Sequence, residues 1–439
     1  MTGRFSVAIA ALLLCSSCGS PSPPPSAPAQ SQPLDIPAPT PAQGPPADSA
    51  AALKQLVDSN AELKRLLTHA IEEGRRINPD PQTNPAQTLE QFYDFIAFAG
   101  KATPASLVKS APNASLYTRI DQSLGYLYFI SDIPLDELKG RGYFNNSLQY
   151  VDAYANWFKG FVQNWGKWLD TPESWNADML RLAQADSAFG LKQGWYESPD
   201  NWKSFNQFFS RQLASPAKRP IAKPKDDSVF VSPVDAVPMG TWAVDNDLKL
   251  ESPAGVAIKT ATVESVEALL DGSPYAKSFA GGTFTHLFLD VHDYHHFHFP
   301  MSGTIWEIRV IPGKEVAGGI VTWDAANKRY RFDPSSVGWQ SLETRGLIVL
   351  QTDKYGLVAF MPIGMSPVSS VNFEMPLKEG SKVQKGDPMG HFLFGGSDFV
   401  VVFGPGVKFA LETPKDSTGR DYRHVLMGER MGRLGGAPR

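Results

Sequence analysis

The stretch Val291-His292-Asp293-Tyr294-His295-His296-Phe297-His298-Phe299-Pro300 decides how the second half of the chain is read. A helix would present paired imidazoles four residues apart, the usual spacing for helical metal ligands, but Tyr, Phe and the closing Pro300 favour extended chain. On a strand His296 and His298 share one face and His295 points to the other. Five of the eight histidines fall between His286 and His298, a density that invites three explanations. One is a metal centre drawn from His292, His295, His296 or His298; another is proton chemistry near neutral pH; the third is a chance cluster of packed or surface side chains.

Outward from this stretch, alternating β-branched and aromatic residues recur in Thr283–Val291, Gly303–Val310, Leu347–Gln351 and Phe399–Phe403, so everything after about Asn206 reads as mostly β. Glu379-Gly380-Ser381-Lys382-Val383-Gln384-Lys385-Gly386-Asp387-Pro388-Met389-Gly390 resembles the hairpin of lipoyl and biotinyl barrel-sandwich domains. It lacks the modified lysine between two methionines, so the likeness concerns architecture alone. Phe394-Gly395-Gly396-Ser397-Asp398 reads by itself as a turn, although its glycines allow the strained backbone that a serine attacking its own chain requires. Val231-Ser232-Pro233-Val234-Asp235-Ala236 places an acid in a turn after a short apolar run, usually a structural position.

The first half is helical. Leu53, Leu56, Val57, Leu63, Leu66, Leu67 and Ile71 recur at helical spacing after Asp48, and Thr88 introduces a second pattern through Leu89, Phe92, Phe95 and Ile96. Leu148, Val151, Tyr154, Phe158, Phe161, Trp165 and Trp168 form a longer aromatic stripe, read as a core face. The expected organisation is a signal peptide over 1–17, a Pro/Ala/Ser-rich tether over 18–50, a helical region over 51–204 and a catalytic core over 205–439. Leu14-Cys15-Ser16-Ser17-Cys18 resembles a bacterial lipobox, which makes Cys18 the expected lipidation site and the cell envelope, facing the periplasm or exterior, the expected location. The tether Gly19–Ala50, with Pro23-Pro24-Pro25 and Pro45-Pro46, has too little apolar surface to fold alone. A net charge of -4 over 439 residues, with both signs mixed along the chain, gives no extended basic surface for nucleic acid.

Taken together and in order, Ser232-Pro233-Val234-Asp235, Asp293-Tyr294-His295-His296-Phe297-His298-Phe299-Pro300 and Gly395-Gly396-Ser397 resemble the phosphatidylserine decarboxylase family. Flanking likeness in Phe205-Asn206-Gln207-Phe208-Phe209-Ser210-Arg211, Arg219-Pro220-Ile221 and Gly303–Gly313 extends it over roughly half the chain. Asp398, Ala236 and His296 depart from the family's usual residues. These departures place the chain in a divergent branch. The long helical region before Phe205, together with Phe394-Gly395-Gly396-Ser397, looks more like the phosphatidylserine-decarboxylase-like enzymes that decarboxylate tryptophan.

The resemblance implies an α+β fold in which the helical region precedes a mostly antiparallel β core. It also implies a self-cut between Gly396 and Ser397, giving a β chain and an α chain from one precursor and turning Ser397 into a pyruvoyl cofactor. Asp235 then supports His298, His298 deprotonates Ser397, and His295, with His298 as the alternative, protonates the carbanion left after decarboxylation. No metal is expected. Phosphatidylserine, converted to phosphatidylethanolamine, is the expected substrate, with a free aromatic amino acid such as tryptophan as the alternative. A metal-dependent hydrolase and a non-catalytic lipid-anchored β module are the rival classes, and assembly as a homo-oligomer is left open.

Overall fold

The computed structural model describes residues 48–108, 114–141, 146–251, 265–314, 321–332, 337–365, 368, 371–419 and 421–436. The signal segment, both cysteines and nearly all of the tether lie outside the described residues.

Helices begin where a polar cap precedes an apolar-periodic run. Asp48 accepts the amide hydrogens of Ala50 and Ala51 at the head of α1 (Ser49–Ser59), and Asn60 caps α2 (Ala61–Ile77) through the Leu63 amide. Thr88 accepts the Gln91 amide ahead of α3 (Leu89–Ala99), the boundary its sequence predicts. A short α4 (Pro104–Leu107) is followed by α5 (Leu116–Tyr128), α6 (Asp152–Trp168), α7 (Ala177–Ala185) and α8 (Phe205–Phe209). The aromatic stripe is core, as expected: Tyr154, Phe158, Phe161 and Trp165 of α6 are buried, and the Trp165 indole donates to the Ala102 carbonyl at 2.8 Å. Each such ring contributes roughly 1.5–3 kcal/mol by leaving water. Among the described residues no helix is long and apolar enough to cross a membrane.

Sixteen strands follow among the described residues, the first four being β1 (Val229–Val231), β2 (Val237–Val244), β3 (Leu250–Glu251) and β4 (Thr283–Leu289). Next come β5 (His296–His298), β6 (Gly303–Ile311), β7 (Thr322–Asp324), β8 (Arg329–Arg331), β9 (Thr344–Thr352) and β10 (Gly356–Gly364). The last are β11 (Val371–Phe373), β12 (Lys382–Val383), β13 (Pro388–Phe392), β14 (Ser397–Phe403), β15 (Lys408–Leu411) and β16 (Arg430–Gly435). The main antiparallel sheet runs β12-β6-β9-β10-β14-β4-β2-β3; smaller sheets run β11-β13-β5 and β1-β16-β15, with β7-β8 as a separate hairpin.

β14 lies between β10 and β4 and is buried on both faces, which its run Phe399-Val400-Val401-Val402-Phe403 demands. Phe399, Val401 and Phe403 join one core with Phe297 and Phe392, whereas Val400 and Val402 join a second core on the opposite face. The barrel-sandwich expectation is corrected here. Within Glu379–Gly390, β12 pairs with β6 of the main sheet, while β13 pairs with β5 and β11. The arms diverge because Lys385, buried between them, donates to the carbonyls of Lys223, Asp226 and Val229 and so draws the turn away from a two-stranded hairpin. No closed barrel forms among the described strands.

Candidate active site

The loop before Ser397 is set by the helical half of the molecule. Phe394 meets Trp165 of α6 and Phe205 and Phe209 of α8 edge to face, at 5.7, 5.4 and 5.3 Å between ring centroids. Its amide donates to the Asn206 side chain at 3.2 Å. Gly395 and Gly396 then adopt φ of 151° and 87°, a region that residues with a Cβ rarely enter. The Gly396 carbonyl accepts the Met365 amide at 3.2 Å, which holds the Gly396–Ser397 peptide against the end of β10. Ser397 opens β14 opposite Leu289 and Gly364; it is fully buried, and its hydroxyl has no hydrogen-bond partner among the described residues.

His295 sits just before β5, where its carbonyl accepts the Phe392 amide at 2.9 Å and lengthens the β5–β13 ladder. The alternation expected from sequence holds. His296 faces His391 across the ladder at 5.3 Å between centroids, while Phe297, on the other face, meets Phe392 at 4.8 Å and Phe399 at 6.0 Å. Ser397 shares the face of Phe399 on β14, and His295 stands two residues before Phe297, just outside β5. Phe209 stacks on the His295 ring at 3.8 Å. The His295 Nδ1 lies 3.0 Å from the Asp293 carbonyl; a carbonyl only accepts, so Nδ1 carries the proton and Nε2 keeps the lone pair. That Nε2 is buried without a partner among the described residues. Burial, aided by the Arg211 charge, holds the imidazole well below its usual pKa, hence neutral.

His298 lies on the opposite face. Its Nδ1 donates to the Gly386 carbonyl at 3.0 Å, and its Nε2 meets the Tyr294 hydroxyl at 3.2 Å. Among the described residues no hydrogen bond links Asp235 to His298, and Asp235 acts on it through its charge. The Asp235 carboxylate is taken by the Arg219 guanidinium, with Nε at 3.0 and 3.2 Å, and by the Met427 amide at 2.7 Å. Arg219, Asp235 and His298 are connected instead through packing and backbone: the His298 amide donates to the Pro233 carbonyl at 2.9 Å, and Arg219 lies over the Tyr294 ring at 5.9 Å. Burial lowers the His298 pKa, with the Asp235 charge opposing from a distance.

Asp398, an unusual residue at its position, turns away from this core. It is fully buried, 2.9 Å from the His286 Nδ1 and 3.2 Å from the Gln340 amide nitrogen. A third group surrounds the start of the histidine stretch. Asp293 meets His424 at 2.8 Å, and Asp290 accepts from the Tyr117 hydroxyl at 2.8 Å. Burial opposes charge on His424, yet the Asp293 carboxylate lifts its pKa above the ordinary value.

A cavity of about 470 Å³ opens onto Gly395 and Gly396. Its walls come from α5 (Tyr117, Asp121, Tyr128), from β4 and the residues after it (Phe288, Asp290), and from the β7–β8 hairpin and its exit (Arg329, Tyr330, Arg331, Phe332). The volume suits a small molecule, and the lining is aromatic with charges of both signs.

The sequence model described as phosphatidylserine decarboxylase matches residues 205–433, more than half of the 439 residues. The chain belongs to the phosphatidylserine decarboxylase family. Its reaction class is that of a decarboxylase. The family member is 29% identical over 280 residues to the decarboxylase iboD of Amanita muscaria, an alignment covering 58% of this chain and 77% of that protein. It is 28% identical over 308 residues to the phosphatidylserine decarboxylase proenzyme of Fusobacterium nucleatum, covering 69% of this chain and 94% of that protein. Against the L-tryptophan decarboxylase of Psilocybe cubensis it is 28% identical over 207 residues, or 46% of each chain.

For this decarboxylase the structure brings together Asp235, Arg219, Tyr294 and His298, and it leaves Ser397 Oγ and His295 Nε2 each buried without a partner among the described residues. Sequence reading missed Arg219 as the partner of Asp235, although Arg219-Pro220-Ile221 was part of the family likeness. A buried acid in a turn, with no cation nearby in sequence, was the available signal. Tyr117, Arg329 and Arg331 gave no signal, because α5 and the β7–β8 hairpin reach the cavity only through tertiary packing.

Proposed function

We propose that this decarboxylase cuts itself between Gly396 and Ser397, converts Ser397 to a pyruvoyl group, and acts on a free amino acid with an aromatic side chain. The carrying observation is that Ser397 Oγ and His295 Nε2 are each buried without a hydrogen-bond partner among the described residues. Leaving a hydroxyl and an imidazole nitrogen both unsatisfied costs about 1–3 kcal/mol each, so both read as reactive groups.

In this reading the His295 Nε2 lone pair takes the Ser397 Oγ proton, Oγ bonds to the Gly396 carbonyl carbon, and the Gly396–Ser397 C–N bond breaks. The proton passes to the departing amide nitrogen, which becomes the amine of Ser397. Loss of the Ser397 α-proton then breaks the Cβ–O bond, releases the Gly396 carboxylate and leaves a dehydroalanine. Water replaces its nitrogen, which departs as ammonia. The products are a chain ending at Gly396 and one of residues 397–439. The site fits such a group: Gly395 and Gly396 allow the backbone to part, and the cavity adjoins them. A pyruvoyl group supplies the electron sink for the carbanion formed as carbon dioxide leaves. His295, oriented by the Asp293 carbonyl, takes a proton at Nε2 from the substrate ammonium group and gives it to the substrate carbon. Arg219 and Asp235 position β5 through the turn at Pro233, and His298 anchors it at Gly386.

Tyr117, Tyr128, Phe288, Tyr330 and Phe332 around a cavity of about 470 Å³ support a ring-bearing amino acid, enclosed whole. Phosphatidylserine is the second reading, favoured by the Fusobacterium nucleatum relative, which is matched over 94% of its length. Carbon dioxide release is measured from tryptophan, tyrosine and phosphatidylserine vesicles, alongside the mass of the denatured protein. Two fragments with release from an aromatic amino acid are expected; an uncut active chain, or release from the vesicles alone, overturns the corresponding half. Anchoring through an acylated Cys18 belongs to the same proposal, supported by the lipobox likeness and the tether. Loss of fatty-acid labelling in Cys18→Ser tests it.

A further inference from the structure

The sheet β11-β13-β5 brings a second cluster together on the face away from His295. His296 and His391 sit directly opposite each other on β5 and β13. Glu374, the residue after β11, extends the neighbouring ladder, its amide donating to the Met389 carbonyl at 3.0 Å. One nitrogen from each imidazole and one Glu374 oxygen lie within 4.8 Å of one another. The His391 Nδ1, 3.7 Å from the Glu374 carboxylate, is buried and makes no hydrogen bond among the described residues.

We propose that His296, His391 and Glu374 form a binding site for one zinc-class divalent cation. Two imidazoles and a carboxylate are the donor set of open zinc sites, with ligand bonds of about 2.0–2.2 Å. Closing the three atoms to roughly 3.3 Å from one another, as tetrahedral ligation requires, needs only side-chain rotation, since adjacent strands already fix the backbones. The His296 Nε2 donates to the Ser210 carbonyl at 2.8 Å. That bond leaves Nδ1 as its donor and supplies the outer hydrogen bond that typically orients a metal-binding histidine. Tyr294 stacks on the same ring at 4.8 Å, restricting its rotation. His391 and Glu374 are 31% and 39% exposed, which gives the ion a path from solvent and a free coordination position for water. Of the histidines first considered as metal ligands, only His296 takes part.

Such an ion would clamp β5, β13 and β11, the strands whose ends carry His295 and the loop to Ser397. It acts on position, since it lies on the opposite face of β5 from His295. The site stands independently of the self-cleavage reading. Its test uses the full chain without a histidine tag, stripped of metal and titrated with Zn²⁺ by calorimetry and with Co²⁺ by visible absorption. One ion per chain and cobalt bands of low coordination number are expected. His391→Gln and Glu374→Gln should each weaken binding by at least ~10-fold with unchanged circular dichroism and unchanged fragment masses. His69→Gln, which alters a separate exposed His–Glu pair with Glu137, should leave the affinity as it was. Absence of binding at submillimolar Zn²⁺ overturns the site, as does equal affinity in wild type, H391Q and E374Q, or loss of the ion in H69Q.

Discussion

Phe297 and Phe399 pack with ring centroids 6.0 Å apart, and this contact joins β5 to β14 within one core. Strand side chains alternate, so the face of β14 that holds Phe399 also holds Ser397. His298 belongs to the face of β5 opposite Phe297, with His296. The resemblance implies that His298 takes the Ser397 proton; the proposed function gives that step to His295.

Ser397→Ala leaves one uncut chain. His295→Ala slows cutting by roughly 10²–10⁴-fold, the range for loss of a general base. His298→Ala removes partners of the Gly386 carbonyl and the Tyr294 hydroxyl, costing about 1–3 kcal/mol of stability, and slows cutting less. Fragment formation followed by mass spectrometry after synthesis ranks the two; faster cutting in H295A than in H298A would restore His298 as the base.

Gly396→Ala forces a side chain into φ of 87°, with the new Cβ 3.3 Å from that of Met365. The strain is about 1–2 kcal/mol. Because it falls on the scissile peptide itself, self-cutting slows while the fold persists. Circular dichroism together with fragment yield separates the two effects.

Arg219 and Asp235 are 1% and 3% exposed, and removing one partner strands a buried charge. Arg219→Met is therefore expected to destabilise by about 3–5 kcal/mol, read as a shift in the denaturant midpoint. Replacing both, as Arg219→Met with Asp235→Leu, recovers part of that loss. A double variant no better than the single one would mean that the charges are not coupled.

Asp132 has its pKa raised to about 8 by burial. It accepts from Gln149 at 2.8 Å and from the Val321 amide at 3.0 Å, tying the helical half to the hairpin that roofs the cavity. The folded chain keeps a proton that the unfolded chain releases near pH 4. Stability from this group is thus present at low pH, falls as pH rises from about 4 to about 8 by at most about 1.4 kcal/mol per unit, and levels off above. Melting temperatures at pH 6 and pH 9 should differ less in Asp132→Asn than in wild type; parallel shifts would show that another group dominates.

Periodicity alone established the helical half, the aromatic stripe of α6 as core, the β character after Asn206 and the opposite faces of His295 and His298. Those follow from local spacing, because a helix or strand fixes side-chain direction residue by residue. The pairing of Asp235 with Arg219, the departure of β12 and β13 into different sheets, and the meeting of His296 with His391 and Glu374 could not be read this way. Each depends on which strands lie side by side, and long-range pairing is decided by the burial of whole faces. The same holds for Ser397. Its glycines marked a turn, and only tertiary packing buried its hydroxyl without a partner among the described residues.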